Sequence, residues 1–356
     1  MKSVLVTGGA GYIGSHTVRE LKKRQIHVVV LDNLSTGHRE AVQTPYFYEG
    51  DIADDQLVKE IIQTHQIDAV IHFAAKSLVS ESVQKPELYF RENTIKSCSF
   101  FENVIREGVR HIVFSSTAAV YGSAHQGPIK ETDSLRPVNP YGESKLKIEK
   151  YLHWVGKGRS VKWMSLRYFN AAGASLDGMI GEDHQPESHL IPLVLQTALG
   201  QRESISIYGD DYPTHDGTCI RDYIHVLDLA EAHILALHAL YEGHVKQNCY
   251  NVGTGLGHSV KEIIDMAERI TKRAILRKIA PRRAGDPPVL VADSQSLREH
   301  LGWKPKYSDL QTIIKSAWKW HKTHPNGYQK NVHFSDAPQE TEEGFKWNTE
   351  KDTNAG

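Results

Sequence analysis

The sequence contains few cysteines, lacks a long hydrophobic run and carries no excess of charge of one sign. Its 356 residues include three cysteines, Cys98, Cys219 and Cys249, an odd number without CxxC spacing, which argues against a disulfide framework. No segment approaches the roughly 20 apolar residues of a membrane span, and residues 1–14 lack the apolar region of a signal peptide. These absences predict a protein of a reducing compartment, the cytoplasm.

The charge balance excludes two classes of partner. Lysine and arginine number 42 and aspartate and glutamate number 43, which gives a formal net charge of -1. Because both signs are interspersed, we expect no binding to nucleic acid or to an anionic membrane. From about residue 331 the composition turns acidic with little apolar content, which predicts a disordered tail over residues 331–356.

A glycine-rich turn follows the first apolar run of the chain. The run opens directly into Gly8, Gly11 and Gly14, and helical spacing of apolar residues follows. Glycines at this spacing let the backbone approach a pyrophosphate, whose charge then lies at the N-terminus of a helix. Asp32 ends the second apolar run, where a carboxylate accepts from ribose hydroxyls and repels a 2′-phosphate. The pattern predicts a dinucleotide site that favours NAD, with Arg39 keeping NADP as the alternative.

Apolar runs and helical patterns then alternate along the chain. The runs lie at residues 69–73, 111–115 and 163–168, and the helical patterns lie near residues 54–66, 86–108 and 140–156. This alternation predicts an α/β fold, a doubly wound, Rossmann-like parallel sheet over residues 1–170. Residues 171–330 mix helices and short strands, which predicts a smaller substrate-binding α/β domain, with some elements returning to the first domain.

One helix start carries a tyrosine and a lysine at YxxxK spacing. Asn139 is a good N-cap and Pro140 suits the first helical position, so Tyr141 and Lys145 lie one turn apart on the same face. Lowering a phenol pKa by about three units requires about 4 kcal/mol. A cation about 4 Å away supplies that much at an effective dielectric constant of about 20. The pair therefore predicts a proton acceptor for an alcohol, although YxxxK also occurs by chance on surface helices.

Together, the glycines, the strand-end Thr117 and the Tyr141–Lys145 pair resemble the extended short-chain dehydrogenase/reductase family. The segments at residues 167–170, 209–226 and 281–286 resemble, within it, the 4-epimerases of UDP-sugars. The matches run from about residue 2 to Tyr328. They are long enough to make coincidence negligible.

The resemblance implies an activity and a cofactor. It implies that UDP-galactose and UDP-glucose are interconverted by inversion at sugar C4, through a 4-keto intermediate and with tightly bound NAD, in a homodimer. Tyr141, with its pKa lowered by Lys145 and the nicotinamide charge, would take the proton of the C4 hydroxyl, and Thr117 would bind the reacting oxygen.

The resemblance also implies two sets of binding residues. Those expected to line the cofactor are Gly8, Gly11, Tyr12, Ile13, Gly14, Asp32, Asn33, Leu34, Thr36, Gly37, Asp51, Ile52, Phe73, Ala74, Ala75, Asn93, Ser115, Tyr141, Lys145 and Phe169. Those expected to contact the UDP-sugar are Thr117, Asn170, Leu190, Tyr208, Arg221, Tyr223, Arg283, Asp286 and Leu290. Among these, the two arginines suit the phosphates and Asp286 suits the uridine ribose.

Three alternatives stay open from the sequence. The first is that the substrate is another UDP-sugar, such as a UDP-N-acetylhexosamine, UDP-pentose or UDP-uronate. The second is that the protein is a 4,6-dehydratase, and the third is that it is a catalytically silent NAD-binding regulator. In the dehydratases of the family, Asp-Glu follows the catalytic threonine and moves protons at C5 and C6. Here Ala118 and Ala119 follow Thr117, and neither methyl group carries a proton, which disfavours elimination.

The sequence departs from the commonest family pattern in four places. Ala75 replaces a common glycine, Thr117 a common serine, and Ser188-His189 a common Asn-Asn. By the family resemblance, Leu290 stands where a bulky Tyr or a small Cys or Ser gates the space beside the sugar C2 group. We hypothesise that its intermediate size admits N-acetylated sugars in part, and a neutral packing role is the alternative. The 20 histidines show no HExxH motif, and His184 with His189 is too sparse a pair, so we expect no metal site.

Overall fold

The structure, a computed structural model, describes residues 3–122, 127–283 and 286–328. The predicted disordered tail, residues 331–356, lies outside the described residues. Among the helices within the described ranges, none combines the length and apolar composition that a membrane-spanning segment needs.

The strands and helices alternate through the first half of the chain. The strands are β1 (Ser3–Thr7), β2 (His27–Asp32), β3 (Phe47–Glu49), β4 (Ala69–His72), β5 (His111–Thr117), β6 (Lys162–Tyr168), β7 (Asn170–Ala172), β8 (Ile205–Tyr208), β9 (Ile220–His225), β10 (Cys249–Val252), β11 (Gly257–Ser259), β12 (Arg277–Ala280) and β13 (Val289–Leu290). The helices are α1 (Tyr12–Lys23), α2 (Asp55–His65), α3 (Val79–Gln84), α4 (Pro86–Tyr89), α5 (Lys96–Arg106), α6 (Pro140–Arg159), α7 (Leu190–Leu199), α8 (Val226–Glu242), α9 (Val260–Thr271), α10 (Gln295–Leu301) and α11 (Leu310–Thr323). A π-helical segment, Phe90–Ile95, joins α4 to α5.

The central sheet has seven strands in the order β10-β6-β5-β4-β1-β2-β3, and every pairing in it is parallel. Alternate residues of β1 point to opposite faces, as a pleated strand requires. Val4 and Val6 join a core with α1 and α8, whereas Leu5 joins a second core with α2, α5 and α6. Because helices cover both faces, the predicted doubly wound parallel sheet is confirmed.

The second half of the chain builds smaller sheets. Strand β9 pairs with β7, β11 and β13, and β8 pairs with β12. Helices α7, α9 and α11 form a third core, to which they contribute Ile191, Leu195, Ile263 and Ile313. Strand β10 and helix α8 return to the central sheet and its covering layer. The domain boundary near residue 170 stays a prediction.

Candidate active site

A cavity of about 1340 Å³ lies at the carboxyl ends of β1, β2, β4, β5 and β6. In parallel sheets this edge is where ligands bind. All of the residues expected to contact cofactor or UDP-sugar line the cavity, except Leu34, Asn93 and Ser115. The fold therefore brings the two sets into one site, while their individual roles remain predictions.

The glycine turn lies against the loop that follows β4. Gly8 has φ +70, and a Cβ atom there would lie 2.5 Å from the backbone nitrogen of Ala74. At Gly14 a Cβ atom would lie 2.1 Å from the Gly8 carbonyl oxygen. Both positions therefore require glycine. Gly11 caps α1 without a side chain, which leaves the start of that helix accessible to an anion from the cavity.

Two carboxylates border the same end of the cavity. Asp32 accepts hydrogen bonds from the Ala10 and Leu34 N–H groups, both at 2.9 Å, which orients its carboxylate at the end of β2. Burial raises the pKa of Asp32, against the effect of those two hydrogen bonds. A carboxylate has about four acceptor positions, so ribose hydroxyls still find acceptors there. Asp51 pairs with Lys96 at 2.7 Å; although burial raises the pKa of Asp51, Lys96 holds it below its ordinary value.

Leu34, Asn93 and Ser115 support the cavity wall from behind. The Leu34 backbone binds Asp32, as described above, and the Ser115 hydroxyl lies 2.8 Å from the Tyr168 hydroxyl. The Asn93 side chain accepts from the Lys76 N–H at 2.8 Å and donates to the Ser144 hydroxyl at 3.1 Å. Asn93 lies in the π-helical segment, a backbone irregularity that is frequent at functional sites. It ties the loop after β4 to α6.

Helix α6 places the predicted catalytic residues on the cavity wall. The Asn139 side chain accepts from the Gly142 N–H at 2.8 Å and Pro140 is the first helical residue, as the sequence predicts. Tyr141 is buried and forms a hydrogen bond with Thr117. The Lys145 ammonium group donates to the Ser115 carbonyl oxygen at 2.9 Å. Tyr141, through Thr117, and Lys145, through Ser115, are thus both held at the carboxyl end of β5.

The pKa values of Tyr141 and Lys145 differ from those expected from the sequence. Burial raises the pKa of Tyr141 well above its ordinary value, Tyr168 raises it further, and the hydrogen bond with Thr117 opposes this rise. Burial also lowers the pKa of Lys145 to about 7. The attraction of the Lys145 ammonium group, on which the predicted lowering of the phenol pKa rested together with the nicotinamide charge, is opposed here by the desolvation of both side chains.

A residue that was not predicted from the sequence, Glu149, anchors α6 below the catalytic pair. Glu149 lies one turn after Lys145, and its carboxylate accepts from the Arg167 guanidinium group of β6 at 2.6 Å. It also accepts from the hydroxyls of Ser116 and Ser165, at 2.6 and 2.9 Å. The spacing of four residues from Lys145 was the available signal, since it places a carboxylate on the same buried face.

The opposite end of the cavity carries the residues predicted for the nucleotide. Arg221 and Asp286 form an ion pair at 2.5 Å, which brings the predicted phosphate ligand beside the predicted ribose ligand. The Arg283 guanidinium carbon lies 4.0 Å from the centre of the Tyr208 ring. A guanidinium group held by a ring face keeps its donors available for a phosphate.

Leu290 contributes to the wall of the same cavity. It belongs to β13, pairs in register with Arg221 of β9, and packs with Phe169 against a core that includes Tyr121 and Leu146. Leu290 and Phe169 both line the cavity. The residue that the sequence marks as a departure from the family pattern is therefore part of the cavity wall.

Comparison with known proteins gives a consistent family. The family model described as "NAD dependent epimerase/dehydratase family" matches residues 4–253. A protein of Halalkalibacterium halodurans named UDP-glucose 4-epimerase is 54% identical over 327 residues, which cover 92% of this chain and 97% of that protein.

Solved structures agree with this result. A crystal structure of a UDP-glucose 4-epimerase is 50% identical, with a TM-score of 0.90, and the match covers 92% of this chain and 100% of the other. The enzyme from Brucella ovis in complex with NAD is 45% identical, with a TM-score of 0.87 and coverage of 89% and 98%. The enzyme from Bifidobacterium longum in complex with NAD+ and UDP is 37% identical, with a TM-score of 0.85 and coverage of 92% and 100%.

Proposed function

The chain belongs to the NAD dependent epimerase/dehydratase family, and from this premise we propose that it is a UDP-glucose 4-epimerase, which interconverts UDP-galactose and UDP-glucose by inversion at sugar C4. One observation carries the proposal. A single cavity joins the glycine turn at one end to the Arg221–Asp286 pair at the other, with Tyr141, Lys145 and Thr117 on its wall.

The residues at the glycine turn fit NAD. A pyrophosphate needs close approach of the backbone, and the crowding at Gly8 and Gly14 leaves no space for a Cβ atom there. Asp32 offers oriented carboxylate oxygens for ribose hydroxyls and disfavours a 2′-phosphate. Bound NAD supplies the hydride acceptor and donor for C4, and its positive ring favours the ionised form of a nearby phenol.

The protein side chains handle the proton and the orientation of the sugar. Tyr141 takes the proton of the C4 hydroxyl and returns it after inversion, and Thr117 binds the reacting oxygen. Lys145, held by the Ser115 carbonyl oxygen, supplies positive charge on the same wall. Arg221 and Arg283 hold the diphosphate while the 4-keto sugar turns to present its other face. No net oxidation occurs, so NAD stays with the protein.

The wall beside the reacting carbon favours epimerisation over elimination. Ala118 and Ala119 line the cavity directly after Thr117. A 4,6-dehydratase needs groups at this position that move protons at C5 and C6, and methyl groups move none. The simpler reaction, reversible redox at C4, fits the side chains that line this wall.

An assay without added cofactor tests the proposal. Purified protein is incubated with UDP-galactose and no added NAD, and the nucleotide sugars are separated and identified. We expect UDP-glucose to form until its ratio to UDP-galactose is the one that is also reached from UDP-glucose. We also expect to recover NAD from the denatured protein. A requirement for stoichiometric added NAD would indicate a dehydrogenase, and a complete lack of conversion would indicate a silent NAD-binding protein; either result rejects the proposal.

We further propose that the enzyme works in the cytoplasm as a homodimer. The free thiols of Cys98, Cys219 and Cys249 suit a reducing compartment. The family resemblance implies that a dimer would form through the helical regions near residues 86–108 and 140–156, and apolar side chains project from both: Ile95 is 63% exposed and Trp154 is 69% exposed. Light scattering after gel filtration tests the dimer. We expect twice the chain mass for the wild type and a lower mass for the Ile95→Asp/Trp154→Asp variant.

A further inference from the structure

The loop before α7 gathers four potential metal ligands. Glu182, His184, Glu187 and His189 each direct one ligand atom into a region where all four atoms lie within 4.8 Å of one another. In the sequence, His184 and His189 alone were too sparse a pair to predict a metal site. The folded loop adds the two glutamates, whose approach to the histidines does not follow from their spacing in the sequence.

Two of these atoms are buried without the hydrogen bonds that buried polar atoms normally form. Within the described residues, Glu182 Oε1 and His184 Nδ1 have no hydrogen-bond partner, and the Glu182 side chain is 5% exposed. The His189 Nδ1 atom lies 2.6 Å from Glu182 Oε1, yet the pair does not form an aligned hydrogen bond. Both imidazole nitrogens thus approach one buried carboxylate oxygen without an aligned hydrogen bond to it, an arrangement that a shared cation would satisfy.

The geometry suits a four-coordinate ion. Zinc bonds of about 2.0–2.1 Å to nitrogen and oxygen place tetrahedral ligand atoms about 3.4 Å apart. His184 Nδ1 lies 3.4 Å from Glu182 Oε1 and 3.8 Å from Glu187 Oε2. If the 2.6 Å distance between His189 Nδ1 and Glu182 Oε1 lengthens toward about 3.4 Å, the tetrahedral arrangement is complete.

The surrounding structure holds the ligands in place. The Glu182 carbonyl accepts from the Trp320 indole N–H at 3.1 Å, which fixes the first ligand to α11. Glu187 Oε1 accepts from the backbone N–H groups of Ser188 and His189, at 2.7 and 2.8 Å, and this leaves its other oxygen for the ion. Partners of this kind orient the ligands of metal sites.

We propose that Glu182, His184, Glu187 and His189 form a zinc-binding site in the wall of the cavity. Two imidazole nitrogens favour zinc over magnesium or calcium, which prefer ligand sets made of oxygen alone. The site lies outside the group that handles the C4 proton, so it is separate from the proposed reaction. Zinc there fixes the loop that leads into Leu190, and the edge-to-face contact between His184 and Tyr12 links that loop to the start of α1.

Metal content provides a test that does not depend on turnover. Tag-free full-length protein is treated with EDTA, freed of chelator, incubated with zinc chloride, desalted and measured by elemental analysis. We expect about one zinc ion per chain, as a four-ligand site holds one ion. Loss of a residue that only supports a metal ligand weakens metal binding by about 10–100-fold. A His184→Gln/His189→Gln variant loses two ligands, so its zinc affinity should fall by more than that.

A matched variant separates this site from other histidines near acidic residues. His215 and His258 lie 3.5 and 3.9 Å from the carboxylate of Glu262, so His215→Gln/His258→Gln removes the same residue types and should keep the zinc. Cobalt bound to the wild type should show the visible absorption of a four-coordinate ion, and magnesium should not displace it.

Two results would overturn the proposal. One is a wild type that retains no zinc after desalting; the other is equal zinc binding by the wild type and the His184→Gln/His189→Gln variant. If that double variant does not fold, as judged by circular dichroism, Glu187→Gln and the cobalt spectrum of the wild type decide. Because neither readout requires a UDP-sugar, failure here leaves the proposed epimerase activity untouched.

Discussion

Glu149 and Arg167 form a buried ion pair, with a guanidinium nitrogen 2.6 Å from a carboxylate oxygen and 4% of each side chain exposed. Glu149 belongs to α6, the helix that carries Tyr141 and Lys145, and Arg167 belongs to β6 of the central sheet. The guanidinium group also donates to the Tyr121 hydroxyl at 2.8 Å. The position of the predicted catalytic residues therefore depends on a charge pair in the core.

We expect Glu149→Gln to destabilise the protein by about 3–5 kcal/mol, because it leaves the Arg167 charge buried without its partner. Urea unfolding followed by circular dichroism measures the change. The control is Glu143→Gln on the same helix, which removes an exposed pair with Lys147 and should cost about 0–1 kcal/mol. Equal losses in the two variants would mean that the buried pair does not anchor α6.

Tyr141→Phe should lower turnover at least about a hundredfold, the usual contribution of general acid–base catalysis, and should leave UDP binding largely unchanged. Removing the hydroxyl eliminates the proton carrier and keeps the ring that fills this part of the wall. Tyr151→Phe on the same helix is the control, since Tyr151 packs against the second core and is outside the cavity lining. Near-normal turnover of Tyr141→Phe would remove Tyr141 from the mechanism.

Lys145→Met should change how stability depends on pH. Burial lowers the pKa of Lys145 in the folded protein to about 7, below its ordinary value of 10.5. Between these values the unfolded chain binds more protons, so the stability of the wild type rises with pH. Below pH 7 the buried lysine is charged and destabilises the wild type most, so Lys145→Met should there exceed the wild type most in free energy of unfolding. Above pH 7 this difference should shrink by up to about 1.4 kcal/mol per pH unit.

Unfolding midpoints at several pH values from about 6 to about 9 measure this difference in stability, because the range spans the lowered pKa of Lys145 and extends toward its ordinary value. The control is Lys147→Met on the same helix, because the Lys147 side chain is 51% exposed and its removal leaves the buried site unchanged. Parallel stability curves for the wild type and Lys145→Met would show that Lys145 titrates at its ordinary pKa.

Much of the fold follows from local patterns in the sequence. The apolar runs that form β1, β2 and β4 are short and continuous because helices bury both faces of the sheet. The cavity was predictable for a related reason. Residues at the carboxyl ends of parallel strands, such as Asp32 and Thr117, meet at one edge of the sheet wherever those strands pair.

The remaining features depend on contacts between distant segments. The raised pKa of Tyr141 follows from burial beside Tyr168, which the helix pattern around Tyr141 does not reveal. The pairing of Glu149 with Arg167 likewise requires the approach of α6 to β6, since each residue alone is typical of an exposed surface. Sequence patterns therefore predict which residues reach the site, whereas packing determines their pKa values and the ion pairs that they form.

Leu290→Tyr tests how the cavity wall selects the sugar. Leu290 lines the cavity beside Phe169, and a larger ring there narrows the space that we assign to the C2 substituent. We expect turnover of UDP-N-acetylgalactosamine, relative to UDP-galactose, to fall about tenfold or more, the size of effect that steric discrimination in a pocket produces. Val289→Tyr is the control, because Val289 precedes Leu290 in β13, points to the opposite face and is exposed. Indistinguishable ratios in the wild type and Leu290→Tyr would discard the gating hypothesis, since a group that does not border the C2 substituent changes both substrates alike.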